Sequence, residues 1–108
     1  TAYRHGAKES ATLSASGTVN IKGNMDAAVK YTIALGGGTS FTINGITVSG
    51  ITGSTVVIDG IAGKITEDGV NCFDKTDITE FPTLKAGNNT VTISGNGSVT
   101  IEYYPIYF

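Results

Sequence analysis

At 108 residues and a net charge of −2, the chain has the length of one domain, enough to bury roughly 65% of the surface an unfolded chain exposes. Its seven Lys and Arg are dispersed from Arg4 to Lys85, so no basic stripe is offered to nucleic acid. No apolar run approaches the ~18 residues that span a bilayer, which argues against membrane insertion, and 15 Gly, about double the usual share of ~7%, imply many turns between short strands.

The chain begins at Thr1 without an initiator Met, as expected of an excerpt from a longer chain. Residues 1 to 16 read as an N-terminal linker or first strand, and residues 17–108 as one domain. His5 is the only histidine. Ser-His or Cys-His catalysis needs a held imidazole, so His5 reads as a surface or linker residue.

Strand alternation then dominates. "TVNIK" carries Val19 and Ile21 on one parity, "VKYTIAL" carries Val29, Tyr31, Ile33 and Leu35, and the same spacing pairs Phe41 with Ile43, Ile46 with Val48, Val91 with Ile93, and Val99 with Ile101 and Tyr103. In a strand each such set shares one face, so Leu35 and Ile93 are expected in the core with the rest. "TVVID" (Thr55 to Asp59) is more continuously apolar, as a strand covered on both faces would be. Asn44-Gly45 and Asn96-Gly97 each sit between alternating runs and predict two hairpins with type I′ turns. Gly36 to Gly38 predicts a flexible hairpin connection, and Asp59-Gly60 and Asp68-Gly69 mark further turns. The sum is about eight to ten short antiparallel strands, an all-β sandwich. One helical turn at most is expected, in "DKTDITEF" from Asp74 to Phe81, stopped by Pro82.

Six carboxylates, Asp59, Glu67, Asp68, Asp74, Asp77 and Glu80, fall between residues 59 and 80. Their spacing matches no calcium loop, so they read as a solvated acidic face and no metal or other cofactor is expected. Cys72, the one cysteine, allows no internal disulfide and reads as a reduced, half-buried strand residue. Asn88-Asn89-Thr90 and Asn96-Gly97-Ser98 match the glycosylation pattern but are explained as turn chemistry.

"FPTLKAGNNTVTISG" (Phe81 to Gly95) combines two apolar anchors, Phe81 and Leu84, with the stiffening Pro82, a turn at Gly87 expected to hold positive φ, and Asn89, whose side chain can bond its own backbone. The aromatic tail "YYPIYF" places Tyr103 inside and Tyr104 outside, and Pro105 is expected to end ladder pairing. Tyr104, Tyr107 and Phe108 form a candidate interaction surface.

The pattern F-P-x-L-x-x-G-x-N-x-V at Phe81 to Val91, followed by "VTIEYYP" at Val99 to Pro105, resembles the C-terminal domain of the distal tail proteins of long-tailed bacteriophages. The likeness extends to "VVIDG" (Val56 to Gly60), Asn71 and, more loosely, "VNIKGNMDAAVKYTIAL" (Val19 to Leu35). Ala86 stands where that family commonly has Pro, and Tyr104 where Arg is frequent. The resemblance implies a galectin-like β-sandwich on a ring-forming, usually hexameric hub at the virion tail tip, made in the bacterial host. It implies a non-enzymatic docking role with other tail proteins as partners, and it leaves weak glycan binding open. The alternative is a carbohydrate-binding module of a glycosidase or adhesion protein, in which L-x-x-G-x-N-x-V also recurs. The absence of Trp and the "FP…IEYYP" match favour the tail protein.

Overall fold

The computed structural model describes residues 4–23, 26–77 and 82–107. In chain order the strands are β1 (Arg4–His5), β2 (Glu9–Leu13), β3 (Gly17–Ile21), β4 (Ala27–Leu35), β5 (Phe41–Ile43), β6 (Ile46–Val48), β7 (Thr55–Asp59), β8 (Lys64–Glu67) and β9 (Val70–Asn71). They continue with β10 (Thr83–Leu84), β11 (Gly87–Val91), β12 (Ile93–Ser94), β13 (Gly97–Tyr103) and β14 (Ile106–Tyr107). Among the described residues no helix is long and apolar enough to cross a membrane.

One layer is the sheet β2-β13-β4-β7-β8-β9, with β10 also paired to β4. The other is built from the pair β3-β11 and the set β12-β5-β6; β11 and β12 are successive stretches of one run, parted only at Thr92. All pairings are antiparallel. Alternation closes a single core between the layers. Val29, Tyr31, Ile33, Val56, Ile58, Val99 and Ile101 from one side meet Val19, Ile21, Phe41, Ile43, Val48 and Val91 from the other, all buried. Each fully buried aliphatic side chain of this size contributes about 1.5–3 kcal/mol.

Two tyrosines carry hydroxyl groups across the core to the facing layer. Tyr103 on β13 accepts the Lys22 N–H at 2.9 Å and donates to the Asn20 carbonyl at 3.4 Å, beside the end of β3. Tyr31 on β4 receives the Asn44 Nδ2–H at 3.5 Å. Asn44 opens the β5–β6 turn, where Asn44 and Gly45 hold φ of 48° and 80° as a type I′ turn requires. It also accepts the Thr92 N–H on Oδ1 at 2.9 Å and donates its own N–H to the Thr92 carbonyl at 2.9 Å. That clamp interrupts the run between β11 and β12. Interruptions of this kind explain why fourteen strand segments, several of only two residues, appear among the described residues where eight to ten were expected.

Several expectations need correction. Asn96-Gly97 is no hairpin turn: β12 pairs with β5, whereas β13 pairs with β2 and β4 in the other layer. Gly95 and Gly97 have positive φ there and Asn96 does not, so the chain crosses between layers. Gly36 to Gly38 likewise joins β4 to β5 across the layers instead of closing a hairpin. Leu35 and Ile93 are half-buried, because the neighbour of Leu35 on β13 is Gly97, which offers no side chain, and Ile93 is flanked by the exposed Ser16. Cys72 is not a half-buried strand residue but is fully buried just after β9, and burial raises its thiol pKa. The helical turn is a 3-10 turn at Phe73–Lys75, earlier than expected; Glu80 and Phe81 lie outside the described residues. Pro105 does end the ladder with β2 and β4, yet pairing resumes at Ile106 with β1, the strand that contains His5.

Ile101→Ala, at a side chain with no exposure, is expected to cost about 2–5 kcal/mol. Ile93→Ala should cost less, and urea melts of the two variants that rank them in the opposite order would contradict the burial described here.

Candidate functional site

The loop that the sequence singled out fastens the rim of the larger sheet. Pro82 is buried, and its carbonyl accepts the Val29 N–H at 3.2 Å; Thr83 and Leu84 then pair with Ala28 and Ala27 at the start of β4. The Val29 carbonyl accepts the Gly60 N–H at 2.9 Å. Gly60 is thereby wedged so closely that a Cβ would lie 2.6 Å from the Val29 carbonyl oxygen and 2.7 Å from that of Pro82. This close approach is the physical content of the "VVIDG" stretch. Gly87 holds φ of 98° at the entry to β11, and Asn89, 9% exposed, donates through Nδ2 to the Lys85 carbonyl at 2.8 Å and the Gly87 carbonyl at 3.0 Å. Phe81, the first anchor of the motif, lies outside the described residues.

The acidic window is spent on turns. Asp59 Oδ1 accepts the N–H groups of Ile61 and Ala62 at 3.0 and 2.9 Å, and Asp68 Oδ1 accepts that of Thr55 at 3.0 Å. Asp77 Oδ1 takes the Thr47 N–H at 2.8 Å. Glu67 is the most heavily engaged, with Oε1 at 2.5 Å from Lys75 Nζ and Oε2 accepting the N–H groups of Thr52 and Gly53 at 2.9 and 2.7 Å. The Lys75 hydrogen bond, then the two backbone donors, hold its carboxyl down at about 2 from an ordinary 4.5. Among the described residues no group of three or more His, Cys, Asp or Glu could hold a metal ion.

Among the described residues, one surface with exposed apolar and charged groups lies on the outer face of the larger sheet. Lys8, Lys30, Asp59, Ile61, Glu102 and Tyr104 line a shallow, open depression of about 160 Å³, well below the ~300–1,000 Å³ usual for small-molecule sites. Strand parity assembles it: Glu102 on β13, Lys30 on β4 and Asp59 on β7 stand in one cross-strand row. Lys8 Nζ meets Glu102 Oε2 at 3.0 Å. Tyr104 is 41% exposed and Ile61 46%. Of the aromatic candidates, Tyr104 alone can be placed here, since the Tyr107 side chain and Phe108 lie outside the described residues. Sequence reasoning missed Lys8, Lys30, Ile61 and Glu102. The outward parity of Lys30 and Glu102 was a readable signal, but their adjacency depends on strand order.

The family model described as siphovirus-type tail component, C-terminal domain, matches residues 11–107. The Dit protein of phage SPP1, described with its crystal structure as a paradigm of hub adsorption apparatus in Gram-positive-infecting phages, has the same fold, with a TM-score of 0.82 and 13% identity over 98% of this chain. This chain spans 49% of that one. No curated protein sequence matches. The class is therefore a structural β-sandwich of phage tails, and not the carbohydrate-binding module of a glycosidase. The chain belongs to the siphovirus-type tail component family, as its C-terminal domain, and is a structural component of the virion tail.

Gly60→Ala is expected to destabilise by about 1–3 kcal/mol, the usual cost of overpacking, and Gly87→Val more than Ala86→Val, because a β-branched residue tolerates positive φ poorly. Thermal melts ranking Gly60→Ala level with Gly38→Ala, where φ is not positive and an added Cβ would lie at an ordinary 3.7 Å from the Ser40 carbonyl oxygen, would refute the wedge. The Glu67 carboxyl is depressed in the folded state, so its contribution is complete above about 4.5 and is lost as pH falls toward about 2. Glu67→Gln should therefore lose less stability than the parent sequence between those values, measured as denaturation midpoints; parallel curves would contradict the assignment.

Proposed function

We propose that this domain is a non-catalytic docking module carried at the periphery of a tail-tip hub whose full-length chain forms a homo-hexameric ring and binds other tail proteins. In this reading residues 17–108 are one sandwich, to which the first 16 residues add a strand, β2, paired with β13. Phe81, Pro82, Leu84, Gly87 and Asn89 keep the fold, and Tyr104, with Tyr107 and Phe108, belongs to the interaction surface. The family match and the fold shared with a phage hub protein support it.

The observation that carries the docking role is the character of the outer face. Its depression is small, open and lined by two cations and two anions around a single aromatic. Tight capture of a free sugar asks for aromatic faces to stack on and several unpaired polar groups converging on its hydroxyls. Here one aromatic is present and Lys8 and Glu102 already bond each other, whereas a macromolecular contact can use such a face through one or two exposed apolar anchors. Free glycans should bind weakly or not at all.

Electron microscopy of the full-length parent is expected to show rings with these domains at the rim, and a glycan array on the same protein to give no saturable binding. Saturable binding abolished by Tyr104→Ala, together with a parent that forms no ring, would return the domain to the carbohydrate-binding class.

A further inference from the structure

The first and last described strands of the domain pair with each other. β1 pairs with β14 through Arg4 to Tyr107 and His5 to Ile106, while β2 pairs with β13 as far as Glu9 to Tyr103. Between these ladders three residues, Gly6 to Lys8, lie opposite two, Tyr104 and Pro105, bridged by the Gly6 N–H to the Pro105 carbonyl at 2.9 Å. One extra residue on one strand is a β-bulge, which bends the ribbon and increases its twist. The bulge supplies two of the residues that line the outer depression, Lys8 and Tyr104.

We infer that this depression is an interdomain seat, on which the part of the parent chain upstream of Thr1 packs so that the bulged ribbon is held at one angle. The inference rests on the reading of the domain as the C-terminal part of a longer chain. Three observations carry it. The chain leads toward its upstream part through β1, directly beyond Lys8, and the matched hub protein has about twice the length, this chain covering 49% of it. Ile61 and Tyr104, two of the three exposed large hydrophobic residues among those described, flank the depression together, as an apolar anchor pair awaiting cover does. Within it Lys8 and Glu102 neutralise each other at 3.0 Å, and Lys30 stands cross-strand beside Asp59, so the lining is balanced in charge. The covering surface is accordingly apolar where it meets Ile61 and Tyr104 and carries no excess of either charge.

The test uses the full-length parent with single substitutions Ile61→Cys, Tyr104→Cys and Val70→Cys. Val70 is 70% exposed and lies on β9, at the other end of the sheet order; the buried native Cys72 serves as a slow reference. Maleimide labelling of the unassembled parent should be at least about tenfold slower at positions 61 and 104 than at 70, as for sites that react only when a local contact opens. Equal rates at all three positions would overturn the inference. Protection that appears only on ring assembly, or only with another tail protein added, would overturn it in favour of a neighbouring copy or that partner. A parent that protects both positions yet forms no ring would uphold the seat while removing the hub reading.

Discussion

The backbone of Val29 holds three distant segments in one place. Its N–H donates to Pro82, its carbonyl accepts from Gly60, and across the other edge of β4 it stands opposite Tyr103. Its side chain has no exposure and belongs to the core. At this point β7 turns away from β4 and β10 takes over the vacated edge. A central strand whose edge changed partners without these bonds would leave buried amide groups unpaired, at about 1–3 kcal/mol each. The turn that follows Asp59 carries Ile61 to the outer face, and the continuation of β13 carries Tyr104 there. The Ile61 side of the outer depression thus depends on how one residue of β4 is bonded.

Polar groups are used here for register and closure. The hydroxyls of Tyr31 and Tyr103 reach the opposite layer, and Asn44 ties a hairpin turn to the break between β11 and β12. Among the described residues no buried side-chain nitrogen or oxygen atom lacks a hydrogen-bond partner. A sandwich aligned only by apolar contacts could slide by a residue pair along its layers, because alternation is unchanged by such a shift. Directional bonds across the core remove that freedom. The carboxylates do the same work at the loops, where Glu67 and Asp68 gather the N–H groups of residues 52 to 55.

For a tail component, this construction separates two kinds of surface. The loops around Glu67, Asp68 and Asp77 are occupied by their own fastenings, so their charge is committed within the domain. The outer face of β13, β4 and β7 keeps exposed apolar anchors next to the ribbon formed by β1 and β14. A bulged ribbon is a bend with a defined direction, and a face beside such a bend is well placed to set an angle between bodies. Strength and geometry are supplied by different residues.

Strand parity was readable in the chain because alternation is a local property. Val29, Tyr31, Ile33, Phe41, Ile43, Val91, Val99 and Ile101 are buried as their spacing required, and the Asn44-Gly45 turn and the exposed Tyr104 follow the same logic. The family was readable too, because the F-P-x-L-x-x-G-x-N-x-V run carries turn and cap chemistry that acts within about ten residues. Which strand pairs with which was not. Asn96-Gly97 has the composition of a hairpin turn and yet crosses between layers, since a two-residue signal specifies backbone angles and not partners. Leu35 and Ile93 share the parity of core residues but are half-covered, because coverage depends on what the neighbouring strands present. The need for glycine at position 60 and the meeting of Lys8, Lys30, Ile61 and Tyr104 arise from segments far apart in the chain, and their adjacency exists only once β4 has taken its neighbours on both sides.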